Sequence, residues 1–166
     1  RIFELFDTAP EVREAASPWS LPGVVRDIRL EGVSMDHGRE AVLRDVDLVI
    51  PAGAMTAILG PSGAGKSTLA DLLVRFHDPV AGRVTIDGTD VRELALADLR
   101  ARVLLVDQAP FLFNATIAQN IAFAREGATR TEIEAAASAA GLDALVERLP
   151  EGLDTRTGER GLALSA

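Results

Sequence analysis

The spacing of apolar residues changes character several times along the chain. Ile28, Leu30 and Val33 predict a short strand. Val46, Leu48 and Ile50, set among Asp45, Asp47 and Val49, have the two-residue period of a strand with one buried face. After the turn Pro51-Ala52-Gly53, residues 54–59 are apolar but for Thr56, as expected of a central strand covered on both faces. Residues 66–76 place Leu69, Leu72, Leu73 and Phe76 on one helical face. Residues 83–86 predict a strand closed by the turn Asp87-Gly88, residues 94–101 a short helix, and residues 103–106 a second wholly apolar strand. Beyond Gln108, residues 116–124, 131–140 and 142–149 read as helices. Thr131 with Glu134 predicts a capping box, and Gly141 a helix end. Strands and helices alternating around a buried strand define an α/β domain with an appended helical lobe, its central sheet short of strands. Residues 1–23 begin helix-like and loosen through Pro10, Pro18 and Pro22, a linker into a domain spanning 24–166.

Composition narrows the function classes. Hydrophobic residues make up 48% and charged residues 25%, the balance of a folded domain. Seventeen basic against 25 acidic residues give a net charge of −8 with no basic block, which argues against a nucleic-acid partner. Zero Cys excludes disulfides and thiolate chemistry, and two His leave little for zinc. No apolar stretch approaches the about 18 residues of a membrane span. The opening Arg1-Ile2-Phe3-Glu4 and the apolar close Leu162-Ala163-Leu164-Ser165-Ala166 suggest a soluble excerpt of something longer. Trp19, alone near a domain edge, is expected to pack.

The chemistry concentrates in Gly60-Pro61-Ser62-Gly63-Ala64-Gly65-Lys66-Ser67, which matches the phosphate-binding P-loop pattern G-x-x-x-x-G-K-[ST]. Backbone N–H groups turned inward make a nest for several clustered negative charges. Gly60, Gly63 and Gly65 permit the tight turn and the close approach. The following helix points its positive end at the same phosphates. Lys66 can reach β/γ oxygens, the Ser67 hydroxyl can sit on Mg²⁺, and Thr68 can donate to an α-phosphate oxygen. The motif lies between an apolar run and an amphipathic helix, as nucleotide binding requires.

No N-K-x-D guanine reader is present. Val103-Leu104-Leu105-Val106-Asp107-Gln108 admits two readings. Asp107 could hold Mg²⁺ at the end of a Walker B-like strand, or Gln108 could touch both the metal and the attacking water. The stretch that follows, Ala109-Pro110-Phe111-Leu112-Phe113-Asn114-Ala115-Thr116-Ile117-Ala118-Gln119-Asn120-Ile121, resembles the Q-loop region of ATP-binding cassette (ABC) proteins and favours Gln108. Val42-Leu43-Arg44-Asp45-Val46-Asp47-Leu48 and Val84-Thr85-Ile86-Asp87-Gly88 are similar to the strands on either side of that family's P-loop. The runs 149–155 and 157–161 resemble the approach to its signature motif in exporters, and 1–7 the joint with a transmembrane domain.

The resemblance implies an exporter ATPase domain: a P-loop core with an antiparallel β subdomain and part of the helical subdomain. It implies ATP and Mg²⁺ as ligands, a second ATPase domain as head-to-tail partner, and a transmembrane domain at the cytoplasmic face of the membrane. Leu164-Ser165-Ala166 matches only the opening of the LSGGQ signature. The Walker B Asp, the catalytic Glu and the switch His of the family have no counterpart in the chain, so it is expected to bind nucleotide and hydrolyse it negligibly. His37 aligns with the aromatic that stacks on adenine, and is either that or an exposed turn residue. Glu159 aligns with an acidic position near the coupling helices, and is either that or a surface residue. The rival reading is a soluble P-loop ATPase or kinase unconnected with transport.

Overall fold

Leu30 and Val33 both point inward, yet they are three positions apart, an odd spacing that would put them on opposite faces of a regular strand. The computed structural model, which describes residues 10–21, 23, 25–36, 38, 41–108 and 111–158, resolves the conflict with a register shift. Gly32 takes a left-handed φ of 59°, and the strand β1 (Asp27–Asp36) returns Val33 and Met35 to the core face. Strand β2 (Ala41–Pro51) pairs antiparallel with β1, and Val46, Leu48 and Ile50 lie more deeply than Asp45, Asp47 and Val49, as the alternation predicts. β3 (Ala81–Ile86) lies on the other side of β1, and the two-residue β4 (Thr89–Asp90) follows it across the turn at Asp87 and Gly88. Both turn residues have positive φ, 51° and 82°, the pattern of a two-residue hairpin. The sheet order is β2-β1-β3-β4.

Gly82 is the tightest point in this sheet. At φ 76°, a Cβ there would fall on the backbone carbonyls of Glu31 and Gly32. Helices α1 (Lys66–Leu73) and α2 (Leu96–Arg102) contribute Leu69, Leu72 and Leu99 to a core shared with Leu30, Val33, Met35, Leu43, Val84 and Ile86. α1 stops three residues short of its predicted end. Arg75 takes φ 51°, and a Schellman closure forms as Arg75 N donates to Leu72 O (3.1 Å) and Phe76 N to Asp71 O (2.9 Å).

Two predicted strands are not strands. Residues 54–59 and 103–106 carry no ladder hydrogen bonds, and Met55, Leu59, Leu104 and Val106 are 99, 91, 81 and 87% exposed. An apolar run reports a tendency to be covered, and no neighbouring strand among the described residues pairs with either segment. Trp19 also departs from expectation: its backbone bridges Leu94, but its ring is 69% exposed.

The described residues fall into two compact units divided between Leu105 and Val106. The second is helical: α3 (Ile117–Ala122), α4 (Arg130–Ala139) and α5 (Asp143–Val146), with a 3-10 turn at Gly152–Asp154. Ile117, Ala118, Ile133, Ala137 and Leu153 form its core. The predicted capping box moves two residues, to Thr129 and Glu132, because the helix begins at Arg130. Thr131 lies within the helix, and Glu134 instead pairs with Arg130 one turn earlier (2.9 Å). Gly141, φ 73°, ends the helix as expected.

The capping box gives a stability prediction. Thr129→Ala removes the acceptor for Glu132 N and is expected to lower stability by about 1 kcal/mol at pH 7, read by denaturant unfolding. The Thr129 backbone N–H, then the Thr129 hydroxyl and Arg125, hold the Glu132 carboxyl below its ordinary 4.5. With the folded value depressed, its contribution is complete above that ordinary value and disappears as pH falls through the folded value.

Candidate functional site

α1 begins without a cap. Gly65 occupies the N-cap position at φ 82°, ψ 10°, no side chain accepts from the first turn, and no acidic residue lies in it. Gly63 is also left-handed, φ 81°. Among the described residues, the amides of Gly63, Gly65, Lys66 and Ser67 have no protein acceptor. An eight-residue helix with an uncapped, unneutralised N-terminus following two left-handed glycines is a concave donor surface suited to an anion.

The glycines act differently from one another. A Cβ on Gly65 would lie 2.7 Å from Leu43 Cδ2 and 3.1 Å from Val42 O, so the loop rests directly on β2. Gly63 has open space and is required for its φ alone. Gly60 is not left-handed; its Cβ would lie 3.3 Å from that of Ala64.

Lys66, half-buried, reaches back across the loop: Nζ donates to Gly60 O (2.9 Å) and Pro61 O (2.7 Å). An ammonium has three N–H groups, and the third has no acceptor among the described residues. The cation is therefore held at the carbonyls that open the loop. Ser67 is exposed, whereas Thr68 is 8% exposed on the face that carries Leu69 and Leu72. Pro61, Ser62 and Ala64 are exposed.

Gln108 belongs to the second unit. It is exposed, and its backbone N–H donates to Asp107 Oδ1 at 2.6 Å. Asp107 thus engages its neighbour's backbone. Ahead of α3, Asn120 brackets the chain: Oδ1 accepts from Phe113 N (2.8 Å), while Nδ2 donates to Phe113 O (3.1 Å) and Thr116 O (3.0 Å). This positioning role went unread in the sequence, although the Asn stands in the quoted run. Phe113 meets Phe111 edge to face (centroids 5.1 Å apart) and lies tilted against Phe123 (4.3 Å). His37, Ala109, Pro110, Glu159, Leu164, Ser165, Ala166 and the segment 1–7 lie outside the described residues. No cluster of three or more His, Cys, Asp or Glu suited to a metal occurs among the described residues.

A glycine-framed loop opening onto an uncapped helix, with a lysine bridging it, defines the P-loop class of α/β protein. The family model described as ABC transporter matches residues 43–165, and the chain belongs to that family. It is 42% identical over 165 residues to the ATP-dependent lipid A-core flippase of Desulfotalea psychrophila, covering 99% of this chain and 29% of that protein. The mitochondrial iron-sulfur clusters transporter ATM1 of Yarrowia lipolytica is 45% identical over 165 residues, covering 99% and 23%. A solved structure of a bacterial Atm1-family ABC exporter with ATP bound aligns with TM-score 0.90 and 42% identity over 97% of this chain and 28% of that one. The fold is that of part of an exporter ATPase domain. The chain spans less than a third of the length of these relatives.

Proposed function

We propose that this chain is the ATP-binding portion of an ABC exporter, and that its P-loop holds the triphosphate of ATP with Mg²⁺. The single observation carrying this is the uncapped start of α1 after two left-handed glycines, with Lys66 drawn across the loop. In this reading the amides of Gly63, Gly65, Lys66 and Ser67 in the loop 60–67 cradle the phosphates, Lys66 neutralises the β/γ oxygens, and Ser67 ligates the metal. Thr68 donates to the α-phosphate, and Gln108 contacts the metal and orients water. His37 lies at the adenine.

The partners follow from the family. A second ATPase domain closes the site head to tail, and a transmembrane domain joins through residues 1–23, with Glu159 toward its coupling helices. The domain proper is residues 24–166, held at the cytoplasmic face of the membrane. Among the described residues, no helix is long and apolar enough to cross a membrane. The names of the relatives, a lipid A-core flippase and an iron-sulfur clusters transporter, support export over a soluble kinase.

Calorimetric titration of the chain with ATP and Mg²⁺ tests the reading. Binding is expected, with phosphate release at background because none of the residues assigned here is a water-activating carboxylate. Gln108→Ala is expected to weaken the Mg²⁺-dependent part of the affinity by about tenfold, the worth of one hydrogen bond to a charged centre, and Asp107→Ala to leave it unchanged. The reverse pattern would transfer the metal role to Asp107.

A further inference from the structure

The residue that closes α1 is unusual. The left-handed position of a Schellman motif favours glycine, because any Cβ is strained there, yet Arg75 occupies it at φ 51° and is 2% exposed. Four of the five guanidinium N–H groups have acceptors among the described residues. Nε and Nη2 grip Asp78 Oδ1 (2.8 Å) and Oδ2 (3.2 Å), Nη1 donates to Val91 O (3.4 Å), and Nη2 also donates to Arg13 O (2.9 Å). Arg100 Nη2 in turn donates to Arg75 O at 3.1 Å. A strained backbone is retained where the side chain has a task, and this side chain holds the segment 11–21 at Arg13.

That segment crosses unit one as a strap. Glu14 Oε1 accepts from Leu96 N (2.9 Å) at the start of α2. Trp19 N donates to Glu93 O (2.8 Å), and Ala95 N to Trp19 O (2.9 Å). Glu11 Oε2 lies 3.2 Å from His77 Nδ1, and Leu21 enters the core. The strap thus touches, through Arg13 O, the residue that terminates α1, while the phosphate nest occupies the other end of that helix.

Eight residues are too few for a helix to hold itself in water, so α1 is ordered by the burial of Leu69 and Leu72 and by what fixes its two ends. We propose that docking of the strap and binding of ATP at the P-loop reinforce one another through α1, with Arg75 as the positioning residue that joins them. Each event orders the helix that the other needs ordered, which gives positive coupling without a change of shape. Such coupling is reciprocal: if ATP tightens the strap by some factor, the docked strap tightens ATP by the same factor. The proposal rests on ATP binding at the P-loop.

Hydrogen exchange of the chain with and without ATP–Mg²⁺ tests it. ATP is expected to slow exchange at 60–67 and, with it, at the amides of Trp19, Ala95 and Leu96 by about fivefold, the low end of typical coupling. Glu14→Ala, at an exposed position, is expected to speed exchange in the strap and weaken ATP binding by a matching factor. Arg75→Lys keeps the charge but loses the fork, and should leave protection at 60–67 while abolishing the strap's response. If Arg75→Lys fails to fold, Glu14→Ala decides alone. Protection of 60–67 with an unmoved strap would overturn the coupling and leave the ATP site intact. No protection at 60–67 would overturn the nucleotide reading and the coupling together.

Discussion

Lys66→Ala is expected to weaken binding of ATP–Mg²⁺ by about 30- to 150-fold, the equivalent of about 2–3 kcal/mol for a charge-assisted contact. The ammonium now bonds Gly60 O and Pro61 O, the carbonyls that open the loop. Truncation removes the one cation in the loop and lets its carbonyls turn. Water can replace the ammonium at the exposed carbonyls, so stability should change by no more than about 0.5 kcal/mol. Calorimetry gives the affinity and denaturant unfolding the stability. Unchanged affinity would move the triphosphate elsewhere.

Gly82→Ala is expected to cost about 2–5 kcal/mol of stability, without touching any residue that faces the ligand. About 1–2 kcal/mol comes from forcing a Cβ into the left-handed region, and about 1–3 more from overlap that the strands must move to relieve. The overlap is with the carbonyls of Glu31 and Gly32, at the irregular step of β1. Gly53 supplies the control: its φ is 69° but nothing lies within 4 Å, so Gly53→Ala should cost only the backbone share. Equal losses for the two variants, measured by urea unfolding, would remove the crowding from the account.

The P-loop was legible because its chemistry is local. Three glycines, a lysine and a serine at fixed spacing specify a turn and a helix start whatever surrounds them. The edges of the fold were less so. Leu30 and Val33 suggested one regular strand, but their odd spacing is reconciled only by the shift at Gly32, which depends on how β2 and β3 pair. The capping box was misplaced because Thr129-x-x-Glu132 and Thr131-x-x-Glu134 obey the same rule, and packing of Ile133 and Ala137 chooses between them. Residues 54–59 and 103–106 read as buried strands from their side chains, but pairing requires a neighbour that no side-chain pattern can supply. Gln108 and Asp107 could be singled out by type and context, whereas a metal contact is a property of three-dimensional placement.

The contact between Gly65 and β2 gives Leu43 a second duty. A Cβ at residue 65 would meet Leu43 Cδ2 at 2.7 Å, so the reverse also holds, and there is almost no clearance between that leucine and the floor of the nest. An isoleucine or phenylalanine at position 43 would satisfy every criterion for filling the interior, yet would push on the peptide at Gly65 and shift the loop. Side-chain size on this strand is thereby tied to the shape of the glycine loop that lies one backbone away.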